Sequence, residues 1–167
     1  MSDKLISRLE KEGRLRRQNA GYVQVEALLR QAIMDLEEAR KVRDLAERAT
    51  YVMVYMAMLK AGRALLLWKG YVPDDGAQHR TVVEVTGLVL GKKFQDIVNH
   101  FERMRRKRNE MTYEAGTLVT KSEARKAFSD AILLIDQILK AVRRTNPQME
   151  LKLDMSEVQK ENPQKIL

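Results

Sequence analysis

Apolar positions recur at steps of three and four along most of this chain. Val25, Leu29, Ala32, Leu36 and Ala39 mark one face of a helix running from about Val23 to Asp44. Glu26, Gln31, Asp35, Glu38 and Lys41 fall on its other, solvated faces. The stretch from Leu45 to Lys69 is apolar nearly all round, the pattern of a central helix, and Ala57, Ala61, Gly62 and Ala64 let neighbouring helices approach it closely. Gly70, Pro73, Asp74, Asp75 and Gly76 predict a loop, and a shorter apolar segment from His79 to Leu90 ends at Gly91, a residue suited to a helix C-terminus. A fourth helix is predicted from Lys92 to about Tyr113. After Gly116, Thr120 and Glu123 have the spacing of a capping box, and Ala124, Phe128, Ala131, Ile135, Ile138 and Val142 trace a last helix that stops at Asn146 and Pro147.

The two ends depart from this pattern. Lys4 to Arg17 reads as a further helix or an arm, interrupted near Gly13 and joined through Asn19, Ala20 and Gly21 to the first long helix. At the other end Met149, Leu151, Leu153 and Met155 alternate with Glu150, Lys152 and Asp154. A period of two is a strand signature, and with no partner strand in sight it predicts either pairing with another chain or a polar tail whose alternation is accidental. The expected organisation is therefore an N-terminal helical arm over 1–20, a bundle over 21–145 and a C-terminal tail over 146–167. The fold class is all-α, an antiparallel up-and-down bundle of four to five helices with an extended tail.

Composition agrees with helices: Glu, Lys, Arg, Leu and Ala dominate, and there are only 8 glycines and 3 prolines in 167 residues. With no cysteine and 2 histidines far apart, neither a disulfide framework nor a zinc-ligand spacing is present, so no metal or cofactor is expected. The N-terminus is charged throughout and lacks the apolar core of a signal peptide, which predicts a cytoplasmic protein. The segment from Tyr51 to Trp68 is barely long enough to span a membrane and carries Lys60 and Arg63 near its middle, so it reads as a core helix. The net charge of +8 permits an acidic partner, and its placement matters more than its sum.

That placement is uneven. Every residue from Arg103 to Arg108 except Met104 is basic, which makes Arg103, Arg105, Arg106, Lys107 and Arg108 candidates for holding the phosphates of RNA. A solvated helix end whose cations complement the helix dipole would look the same. Arg108 differs from the others, because the apolar stripe Phe94, Ile97, Phe101, Met104 continues through it to Met111. A guanidinium on a core seam must be paired, lie in a polar cleft or reach back to water.

The string from Arg105 to Glu114, with Arg108, Asn109 and Tyr113, resembles the signature segment of HEPN domains, in which an Arg, often followed by Asn, precedes a His or Tyr. Tyr55 to Gly70, containing Arg63 to Leu67, resembles the central helix of that superfamily, and Gly76 to Arg80 the turn after it. The resemblance spans about Leu9 to Arg144. It implies a helical bundle, often a homodimer that brings two signature segments together across a cleft. Some members are metal-independent ribonucleases, and some are toxins paired with a small nucleotidyltransferase antitoxin. By position, Arg108 would hold a phosphate, Asn109 is the polar residue beside it and Tyr113 stands where the His that assists proton transfer would be. A phenol with a pKa near 10 is a poor base at neutral pH, where imidazole titrates near about 6.5. His79 sits in the turn before a helix, where it caps, packs or acts as an accessory group, and His100 precedes the Arg cluster.

Three functions stay open on these grounds: a module that binds RNA, a nucleotide or a protein partner; a metal-independent ribonuclease using Arg108 and Tyr113; and a dimerisation domain. Asn109 and Tyr113 share a helical face, whereas Arg108 and Tyr113 diverge by roughly 140°. If all three line one cleft, a twofold partner is the expected way to gather them.

Overall fold

The computed structural model describes residues 2–19 and 21–154. Among them are helices α1 (Ser2–Lys11), α2 (Tyr22–Val42), α3 (Glu47–Trp68), α4 (Gln78–Leu90), α5 (Gln95–Tyr113) and α6 (Lys121–Arg143), and strands β1 (Leu15–Arg17) and β2 (Tyr71–Pro73). The fold is an all-α bundle with one very small two-stranded ribbon. The α3 helix lies at its centre, packed against α2, α4, α5 and α6. It alone among the described helices is long and apolar enough to cross a membrane, but 72% of its most apolar window is buried inside the protein, as befits a core helix.

The close approaches foreseen from small residues occur. A side chain at Gly62 would meet Val82 Cγ1 at 2.6 Å and Thr86 Oγ1 at 2.9 Å, so α3 and α4 touch there almost backbone to side chain. One at Gly87 would meet Val98 Cγ1 at 2.9 Å, which brings α4 equally close to α5. Gly91 ends α4 with φ 80°, a conformation that favours glycine, and its N–H donates to the Gly87 carbonyl. A 3-10 turn over Lys92–Phe94 then leads into α5, where a continuous helix was expected. The capping box of α6 is complete: Glu123 N–H donates to Thr120 Oγ1, and the Glu123 carboxylate accepts from Thr120 N–H.

Both ends of the chain differ from their sequence expectations. The helix of the N-terminal arm stops at Lys11, Gly13 turns with φ 69°, and residues 15–17 form β1, antiparallel to β2 in the register Leu15 to Pro73, Arg16 to Val72 and Arg17 to Tyr71. Leu9 and Leu15 are buried in the common core, so arm and bundle share one interior. The alternating tail segment carries no strand through Asp154; instead Met149 and Leu151 are buried in the same core and Leu153 packs against it. Its apolar period serves to anchor the tail on its own chain. Met155 and the rest of the tail lie outside the described residues.

Candidate functional site

The first turn of α4 and the C-terminal half of α5 face each other across a cleft of about 530 Å³. Asp75, Gly76, Ala77, Gln78, His79 and Arg80 form one wall, and Arg105, Arg108 and Asn109 the other. Ala77, at the N-cap of α4, makes no side-chain hydrogen bond, so the first-turn amides and the positive end of the helix dipole open onto the cleft. That arrangement attracts anions.

The loop wall is held from outside the bundle. Arg14, just before β1, donates from Nε to Asp75 at 3.2 Å and from Nη2 to Thr81 Oγ1 and to Glu84, both at 2.8 Å. Thr81 is fully buried, and the β1–β2 ribbon extends this grip, with Asp74 N–H donating to the Arg14 carbonyl. On the α3 side Arg63 donates to Gln78 Oε1 at 2.8 Å, while its buried Nε has no hydrogen-bond partner.

The basic cluster is not uniform. Arg105 makes a two-pronged bond to Glu102 at 2.7 and 2.8 Å, and Arg106 shares the same carboxylate at 2.9 Å. These hydrogen bonds, Arg105 first, outweigh desolvation and hold the Glu102 carboxyl at about 2. Lys107 pairs with Glu123 and lies 5.8 Å from the centre of the Tyr51 ring. Arg103 is exposed. Arg108 is half-buried in the cleft, and its guanidinium has neither a hydrogen bond nor an ion pair among the described residues. Of the outcomes open to a guanidinium on that seam, a polar cleft is the one found.

His79 is also in the cleft wall. Its Nδ1 lies 2.9 Å from the hydroxyl of Tyr55, a fully buried residue of α3. Burial pushes the Tyr55 phenol up to about 12, against the pull of Arg105 and Arg108. The His79 imidazole is pushed below its ordinary value, first by burial and then by the charges of Arg63, Arg108 and Arg105. Both groups are neutral at physiological pH.

Tyr113 is elsewhere. It is the last residue of α5, 79% exposed, and does not line the cleft of its own chain. Arg108 and Asn109 therefore come together with His79 and Arg105, and Tyr113 stands apart, as the divergence along the helix requires. Among the described residues there is no group of three or more His, Cys, Asp or Glu side chains that could hold a metal ion.

With this arrangement in view, comparison with known families is decisive: residues 25–142 match the HEPN domain. The chain belongs to the HEPN family. No curated protein matches it. HEPN membership places the helical bundle among nucleotide- or RNA-binding and ribonuclease-like modules. The match begins within α2 and ends in α6, so α1, β1 and the Arg14 grip on the cleft wall lie outside the HEPN segment.

Sequence reasoning reached Arg105, Arg108, Asn109 and His79 but missed Arg14, Tyr55, Arg63 and Gln78 as parts of one site. The signal for Arg108 was its place on an apolar stripe. The pairing of Tyr55 with His79 gave none, because 24 residues separate them and only the packing of α4 on α3 brings them together. A second groove of about 610 Å³ runs on from the cleft, sharing Arg80 and taking in Lys92 and Arg106 over a floor of Val83, Leu88 and Val98. It is larger, but its floor is aliphatic, so the polar chemistry belongs to the smaller cleft.

Proposed function

We propose that this HEPN protein binds single-stranded RNA, with a backbone phosphate seated in the cleft between the first turn of α4 and the second half of α5. The observation that carries this reading is the half-buried Arg108 guanidinium without a counter-ion. A cation held partly out of water is costly unless an anion meets it. A phosphate there would accept charge-assisted bonds from Arg108 and from the uncapped amides of α4, while Asn109 and Gln78 supply neutral donors. The neighbouring groove, with Lys92 and Arg106 at its rim, offers the strand a path onward.

The test is a filter-binding titration of the full chain with a mixed-sequence oligoribonucleotide at several salt concentrations. Affinity is expected to fall steeply with salt, with a log–log slope of about −0.7 per phosphate contact, and Arg108→Ala to remove about one contact from that slope. Absence of binding at low salt would exclude the reading.

A second reading concerns assembly. Tyr113, the last residue of α5, and Leu118, in the loop after it, are 79% and 81% exposed at the C-terminal end of the helix that carries Arg108. We infer a homodimer in which this end of α5 meets its twofold copy, so that Tyr113 of one chain approaches the cleft of the other. Leu118→Asp should then lower the dimer fraction in analytical ultracentrifugation, and an unchanged mass distribution would refute it.

A further inference from the structure

The turn that leads into α4 has little of its own to hold it. Residues 74–77 belong to no helix or strand, Gly76 has open space where a side chain would be, and Ala77 gives the first amides of α4 no side-chain cap. Tethers reach this turn from a residue far back in the sequence. The Arg14 carbonyl accepts from Asp74 N–H at 3.0 Å, and Arg14 Nε donates to Asp75 Oδ2 at 3.2 Å. The same guanidinium reaches past the turn: Nε and Nη2 both donate to the buried Thr81 hydroxyl, at 3.2 and 2.8 Å, and Nη2 donates to Glu84 at 2.8 Å. Thr81 Oγ1 in turn donates to Asp75 Oδ2 at 3.3 Å, which closes a ring of bonds across the start of the helix.

That ring does the work of the missing cap. The Arg14 side chain is only 18% exposed, and its planar fork meets acceptors on three residues at once, a geometry that lysine cannot reproduce. Position matters here because the two walls of the cleft belong to different elements. The first turn of α4 carries the open amides, and α5 carries Arg108. A phosphate takes bonds from both only if the walls stand at a fixed separation. The α5 wall is anchored independently, through Phe101 and Met104 in the core. The α4 wall depends on Arg14, which does not itself line the cleft. Arg14 is in turn secured by the β1–β2 ribbon and by the buried Leu15 beside it.

We propose that Arg14 is a positioning residue for the cleft, so that docking of the N-terminal arm and binding of a phosphate are coupled. The proposal rests on the RNA-binding reading above and adds the element that regulates it. With the arm docked, the α4 amides and Arg108 meet one phosphate. With Arg14 withdrawn, the turn loses its tethers and Arg108 holds the phosphate from one side only. The coupling is reciprocal: a phosphate that bridges the two walls strengthens the hold of the arm on α4 by the factor by which the arm raises affinity. Arg14 lies before the matched residues 25–142, so this control comes from the arm and not from the HEPN segment.

The test is a double-mutant cycle on the full chain, read by filter binding of a mixed-sequence oligoribonucleotide at several salt concentrations. Arg14→Gln is expected to bind about tenfold more weakly than wild type. Its salt slope should stay that of wild type, because Arg14 touches no phosphate, whereas Arg108→Ala lowers the slope. In the Arg14→Gln, Arg108→Ala double variant the two losses should be less than additive, since both remove support from one phosphate. Arg14→Lys keeps the charge without the fork and should lose nearly as much as Arg14→Gln. Arg17→Gln, which breaks an exposed pair with Glu10 on the same arm, should bind as wild type does. Hydrogen exchange gives the reciprocal reading: the Asp74 and Gln18 amides, which join the two sides of the ribbon, should exchange more slowly when the oligoribonucleotide is bound. If Arg14→Gln does not fold, Arg14→Lys and the exchange measurement decide. Wild-type affinity in the Arg14 variants, a salt slope lowered as in Arg108→Ala, strictly additive losses or unchanged ribbon exchange overturns the inference and leaves the RNA-binding reading standing. Absence of RNA binding by wild type removes both.

Discussion

The two histidines of this chain sit on two sides of α5, and their surroundings differ in one decisive respect. His79 Nδ1 meets a hydroxyl, that of Tyr55, whereas His100 Nδ1 meets the Asp130 carboxylate at 2.7 Å. A hydroxyl can donate or accept, but an ionised carboxylate only accepts, so His100 is committed to donating. Asp130, 3% exposed, also takes a bond from Lys126 at 2.6 Å. Burial opposes its ionisation, yet the bonds from His100 and Lys126 prevail and hold its carboxyl below the ordinary carboxylate range. The α5–α6 side thus holds a buried carboxylate with its donors already in place. On the α4–α5 side the arginines outnumber the carboxylates free to meet them, and Arg108 has none. The sequence shows basic residues on both sides; what separates scaffold from site is whether each charge already has a partner.

That contrast can be broken by substitution. The largest effect is expected at Asp130→Ala, which leaves the largely buried His100 Nδ1 without its acceptor: a loss of about 1–3 kcal/mol in urea unfolding, with RNA affinity unchanged for the folded fraction. An Asp130→Ala protein that keeps its stability would show that this side is not the scaffold described. Next comes Arg108→Ala, the mirror case, in which RNA affinity at low salt should fall roughly 10- to 100-fold, the worth of a charge-assisted hydrogen bond, while stability moves by less than about 0.5 kcal/mol. A marked drop in melting temperature would instead assign Arg108 to the core.

Glu102→Gln sharpens the comparison from the other direction, because it frees Arg105 and Arg106 from their shared carboxylate. RNA should bind a few-fold more tightly at low salt. The same variant tests acid stability. The Glu102 carboxyl is held at about 2 in the folded protein, below its ordinary value, so its contribution is present above the usual carboxylate range and is lost as pH falls toward 2. Acid melting curves of Glu102→Gln should therefore be flatter over that window. The smallest effect is expected at Thr120→Ala, which removes one half of the α6 capping box at a cost of about 1 kcal/mol and leaves RNA binding untouched.

What could be read from sequence were features that depend on near neighbours along the chain. The stripe of α2, the capping box at Thr120 and Glu123 and the C-terminal glycine of α4 are each defined within a few residues, and all appear where expected. The ribbon was not legible, because Leu15 is the only apolar residue of β1 and its partner Pro73 lies far along the chain. In the tail the alternation of Met149, Leu151 and Leu153 was real, but an extended segment can bury alternate side chains against its own core without any ladder. The site was half legible. Arg108 betrayed itself by a charge on an apolar stripe, while the bond between Tyr55 and His79 follows only from how closely α4 lies on α3 at Gly62.

Arg14 bears on how such a protein should be cut into parts. Trimming the chain to the span that matches its family would remove this residue along with β1, and the bundle helices would keep most of their core. Asp75, in the cleft wall, would then lose the cation that now occupies it, and Glu84 would keep only Arg80, which already bonds it at 3.0 Å. A shortened protein would also lose Leu9, Leu15, Met149 and Leu151 from the shared core, and its Asp75 would be left to compete for the cations of the cleft. The N-terminal arm thus supplies a counter-ion to an acidic residue of the cleft wall while Arg108 keeps none of its own.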